Sequence, residues 1–119
     1  MNYYLPALAQ WRHGLTGELE ARLIEVAADG YNALLDRVYQ RYGVRVANVF
    51  SAFRTTDFGG TVSLRGFGSL PGNVAAICEW TWECAGPPRG PNQHPNRAGY
   101  QVITRAFLAA GAHLPARGR

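Results

Sequence analysis

The chain contains no lysine: all 12 of its basic side chains are arginine. They are scattered from Arg12 to Arg119, with no run of them interleaved with aromatics, and the net charge is a modest +4. That spread argues against a nucleic-acid partner, which would need a clustered basic stripe. Long apolar runs are missing too. No stretch approaches the roughly 18 residues that a membrane span requires. The opening MNYYLPALAQWRHG has neither a basic start nor a long apolar centre, so it does not read as a signal peptide. Export would need a leader that has been removed or that lies upstream.

Cysteine is scarce as well, with only Cys78 and Cys84 in CEWTWEC. There is no paired CxxC, and these two with His94 would lack a fourth strong ligand, which argues against zinc. A short-loop disulfide between Cys78 and Cys84 is the expectation, and it would mark an oxidising, secreted setting. Two buried free thiols are the alternative. No cofactor is implied.

What is present is enough for one packed domain. The 119 residues are 47% hydrophobic and 12% aromatic, a composition that argues against general disorder. MNYYL reads as a strand ending at Pro6, and Leu8 to Trp11 as a helical turn. From Gly17 to Tyr42 apolar residues recur at helical steps, at Leu19, Leu23, Val26, Leu34 and Val38. Asp29-Gly30 is expected to kink or split this helix, and Gly43 to cap it.

VRVANVF, Val44 to Phe50, reads as a second, buried strand, giving a βαβ unit with a right-handed crossover. Ser51 to Gly72 holds five glycines and little periodicity, so an irregular cleft loop is expected. Asn73 to Ile77 reads as a helical turn. Pro95 and Asn96 open a last helix with Tyr100, Val102, Ile103, Phe107 and Leu108 on its apolar side. Residues 1–112 then form one domain, with 113–119 a frayed tail. Two strands are few for a parallel sheet, so the chain looks like the second half of an α/β fold. Either partner chains supply the rest of the sheet, or the chain is a fragment.

One histidine stands out. GPPRGPNQHPNRAGYQVITRAF places His94 in a loop dense in Gly, Pro and Asn, just before the last helix. Held there, a neutral imidazole can take a proton from a hydroxyl and return it to a leaving group. A structural role is the alternative. His13 and His113 read as surface residues. Trp80 and Trp82 suit either core packing or the lining of an apolar acyl or sugar site.

Three stretches together resemble the C-terminal half of the SGNH (GDSL-type) hydrolases, in their secreted actinobacterial branch. They are MNYYLPALAQW, VANVFSAFRTTDF and NVAAICEWTWECAGPPRGPNQHPNRAGYQVITRAF. The resemblance covers Asn2 to Phe107 and implies a partial three-layer α/β/α, flavodoxin-like fold. Its short parallel sheet would be completed by homo-oligomerisation. It also implies hydrolysis of small ester or lipid substrates by a serine nucleophile, with His94 as general base.

The departures from that family are specific. Where many members carry an aspartate three residues before the histidine, this chain has Pro91. The Pro91 carbonyl is then the candidate for orienting the imidazole, with less imidazolium stabilisation than a carboxylate gives. Asp57 is an alternative acid, although it also suits a turn. The GDS serine, the oxyanion glycine block and the GxND block have no counterpart. Of Ser51, Ser63 and Ser69, the sharply turned GFGSLPG makes Ser69 the candidate nucleophile. The expectation is a small carboxylester hydrolase; the alternative is a non-catalytic truncated domain that self-associates or binds apolar ligands.

Overall fold

A computed structural model describes residues 1–111. The expected tail, 113–119 with His113, lies outside the described residues. The chain is a mixed α/β protein, measuring 54 × 28 × 25 Å along its principal axes. In order it forms a 3-10 segment Pro6–His13, α1 Gly14–Arg41, α2 Val49–Ala52, β1 Thr61–Leu64, β2 Gly68–Pro71, α3 Gly72–Trp80 and α4 Arg97–Gly111.

The middle of the molecule is α3. Gly72 to Ile77 are all buried, as expected of a helix apolar around its whole circumference. The 3-10 segment, both strands and α4 pack on it. Leu8, Val49, Phe53, Val74 and Ile77 form the centre of the core, each fully buried. Phe53 stacks on Tyr4 at 4.3 Å between ring centroids and meets Trp80 edge-on at 5.5 Å. Two polar side chains serve this core. Asn73 Nδ2 donates to the Thr55 carbonyl at 3.0 Å, and the Thr55 hydroxyl donates to the Phe50 carbonyl at 2.7 Å.

α1 runs unbroken through Asp29-Gly30, so the helix is not split there. Its first turns lie against the 3-10 segment, where a Cβ on Gly17 would run into the Gln10 carbonyl. Arg22 reinforces this contact by lying over Phe58 and Trp11, 4.5 and 5.1 Å from the ring centroids. At the other end Gly43, with φ of 65°, closes the helix as a left-handed cap. Gly17, Ala21 and Asn32 are buried, whereas Leu19, Leu23, Val26, Leu34 and Val38 are exposed. The apolar stripe seen in the sequence therefore points away from the body.

The parallel sheet expected from MNYYL and VRVANVF is corrected. Met1–Leu5 and Val44–Asn48 are irregular, and Val49 and Phe50 begin α2. The two segments meet through side chains instead: Asn2 bonds Asn48 and the Phe50 N–H, each at 3.0 Å. Among the described residues no further strand lies beside them to continue a ladder.

The only sheet among the described residues is an antiparallel hairpin within the stretch expected to be irregular. β1 and β2 pair in the register Val62 to Leu70 and Ser63 to Ser69. Gly66 and Gly68 take φ of 85° and 74° to make the turn. Leu70 is buried while Ser63 and Ser69 face outward, the alternation of a one-sided hairpin.

Candidate functional site

The loop from Thr81 to Asn96 is folded back on itself by backbone bonds. The Trp82 N–H donates to the His94 carbonyl at 3.1 Å, and the Asn92 N–H donates to the Trp82 carbonyl at 3.2 Å. An isolated bridge pairs Thr81 with Pro95. Asn92 Oδ1 accepts the His94 N–H at 2.9 Å, so both backbone groups of His94 are held. Gly90 allows the loop to close, because a Cβ there would strike the carbonyls of Trp82 and Ala85.

Asn96 fastens the base of this loop from both sides. Its Oδ1 caps α4 by accepting the N–H groups of Ala98 and Gly99, at 2.9 and 3.1 Å. Its Nδ2 donates to the carbonyls of Glu79 and Thr81, at 2.8 and 3.3 Å. Cys78 and Cys84 form the expected disulfide, with Cα atoms 4.9 Å apart. It ties the last turn of α3 to the loop. By chain entropy a closed loop this short contributes about 2 kcal/mol.

His94 is exposed, and its imidazole makes no hydrogen bond to the described residues. Pro91 lies three residues earlier, joined to Gly90 by a cis peptide bond, and among the described residues its carbonyl is not bonded to the ring. Pro91 instead borders a cavity of about 390 Å³ with His13, Glu83 and Arg12. Beside His94, the Tyr4 hydroxyl donates to the Gln93 carbonyl at 2.8 Å. Burial, and then the neighbouring Tyr100, raise Tyr4 above its ordinary 10.0, so it stays protonated as a donor. Tyr4 was legible only as part of an apolar strand; its link to the histidine loop spans 89 residues.

Among the described residues no hydrogen bond joins Ser69 to His94. Ser69 stands three residues before the start of α3, and the histidine loop departs from the helix end. About 13 Å of helix separates those two ends. Ser63 faces outward beside Ser69. Asp57 is committed elsewhere: it accepts the Gly60 N–H at 3.1 Å and pairs with Arg54. The Gly60 bond first, then Arg54, lowers its carboxyl below the ordinary 3.8.

Ser51 is differently placed. It lines an open cavity of about 700 Å³ with Ala52, Trp80, Val102, Arg105 and Ala106. Trp80 is also the residue from which the histidine loop departs, and its carbonyl accepts the Asn96 N–H at 2.9 Å. Mostly apolar walls with a few polar groups at the rim suit a small amphipathic ligand. Among the described residues, no group of three or more His, Cys, Asp or Glu is placed to hold a metal ion. No helix among them is long and apolar enough to cross a membrane.

Comparison with protein-family models, with curated proteins and with solved structures finds no match.

Proposed function

We propose that the chain is of SGNH-hydrolase ancestry and acts on small carboxylesters with His94 as general base. The observation that carries this reading is the pairing of a fixed backbone at His94 with an exposed imidazole that has no hydrogen-bond partner among the described residues. A neutral ring held in that way takes a proton from the attacking hydroxyl and delivers it to the departing alkoxide. The Pro91 carbonyl stands where many members of that family carry an aspartate and is the candidate to fix the ring tautomer, although it makes no bond to the ring among the described residues.

Ser51 is assigned the attack in preference to Ser69, because it borders the apolar cavity that shares Trp80 with the histidine loop. The acyl part of the ester occupies that cavity. Met1–Leu5 and Val44–Asn48 are the segments that would pair as parallel strands of a three-layer fold once another chain extends them. The disulfide fits an exported protein.

The test is hydrolysis of short p-nitrophenyl esters by the purified chain and by His94→Ala, Ser51→Ala and Ser69→Ala. His94→Ala and Ser51→Ala are expected to lose on the order of 100-fold or more, and Ser69→Ala to stay near wild type. Activity that survives His94→Ala sinks the proposal.

A second reading is favoured by a separate observation, the apolar face of α1 turned to solvent. In that reading the chain is a non-catalytic domain that works by self-association.

A further inference from the structure

The exposed face of α1 is long and largely apolar, with Arg37 and Arg41 standing among its aliphatic side chains in the C-terminal half. Leu15 is 74% exposed and Leu23 72%, with Leu19, Val26, Leu34 and Val38 also open. At 100° per residue most of these project opposite Gly17, Ala21 and Asn32, which face the body. With Tyr31 and Tyr42 they expose apolar surface on the order of the ~800 Å² that each partner gives to a standard interface.

We propose that this face is a dimer interface, on which α1 of a second copy of the chain lies antiparallel. The inference rests on the self-association reading and is independent of the chemistry at His94. Two features of the sequence select that partner. First, one antiparallel register matches the stripe to itself along its length. It sets Leu19 against Val38, Leu23 against Leu34 and Val26 against Tyr31, each contact occurring twice by symmetry. Gly30, with open space around it, falls near the middle, where two helix axes approach most closely.

Second, the charges of the stripe are divided between its halves. Glu20 lies in the N-terminal half, Arg37 and Arg41 in the C-terminal half. The same register places Glu20 of one copy level with Arg37 of the other and about one turn from Arg41. None of these three makes an ion pair among the described residues. A parallel pairing would set Glu20 against Glu20 and Arg37 against Arg37, which costs stability.

Sedimentation velocity of the full chain at micromolar concentrations tests the proposal, with circular dichroism confirming that each variant is folded. Wild type is expected to sediment as a dimer. Leu23→Glu is expected to raise the dissociation constant at least about 100-fold. Glu20→Arg and Arg37→Glu, alone, are each expected to weaken the dimer about tenfold, since each creates like-charge contacts. Mixed in equal amounts, these two variants are expected to regain wild-type affinity as a heterodimer.

A monomeric wild type overturns the inference, and so does a mixture no tighter than its components. An oligomer untouched by all three substitutions also overturns it, and assigns association to the irregular segments Met1–Leu5 and Val44–Asn48. None of these outcomes bears on the ester assay, so the two proposals fail separately.

Discussion

Asn2 grips Asn48 and Phe50 at once: its Nδ2 donates to Asn48 Oδ1, and its own Oδ1 accepts the Phe50 N–H, both at 3.0 Å. One amide side chain thus joins the start of the chain to the start of α2. It does so where the sequence suggests a strand ladder, and with Asn2 itself only 2% exposed.

Replacing Asn2 by alanine leaves the buried Phe50 N–H without its partner. The expected loss is about 1–3 kcal/mol of folding stability. Urea unfolding followed by tryptophan fluorescence reads this directly. An unchanged midpoint would show that water satisfies Phe50 equally well and that the asparagine bridge is dispensable.

Asn96→Ala removes the cap of α4 and releases two carbonyls at the base of the histidine loop. A cap alone is worth about 1–2 kcal/mol. Asn96→Asp keeps the acceptor for Ala98 and Gly99 but loses both donations, so its stability should fall between the other two. Thermal melts of the three proteins give the order, and any other order contradicts the double role assigned to Asn96.

Acid stability should depend on Asp57. Its carboxyl is lowered below 3.8, chiefly by the Gly60 N–H and next by Arg54. A carboxylate depressed by folding stabilises the native state above its unfolded value. That contribution is lost as pH falls from about 3.8 through the lower native value. Asp57→Asn should therefore flatten the decline in stability over that acid window. If the two acid-unfolding curves run parallel there, the Arg54–Asp57–Gly60 cluster is not linked to folding.

Local chemistry was legible in the sequence, and partnership was not. The long helix, its glycine stop, the Asn96 start of α4 and the disulfide all follow from neighbours in the chain. MNYYL and VRVANVF have strand composition, but a ladder needs a third party, and among the described residues none is supplied. The hairpin had a readable signal that the glycine count obscured: TVSL and GSLP alternate on either side of a glycine turn. Leu19, Leu23 and Val26 make the same point for α1. Periodicity identifies an apolar face and is silent on what covers it. At the site, His94, its loop and the three candidate serines were visible, whereas the link from Tyr4 and the cavity beside Ser51 enter only through folding.

The frame around His94 is made of main-chain atoms and two asparagine side chains, Asn92 and Asn96, and this leaves its outer rim free to change. Gly86 to Arg89 are exposed, and only Arg89 reaches inward, to a point 5.5 Å from the centre of the Trp82 ring. Substitutions or short insertions along that rim leave the bonds from Trp82 to Asn92 and His94 in place. The loop is thus a graft site, where new surface chemistry can be installed around a histidine that stays where it is.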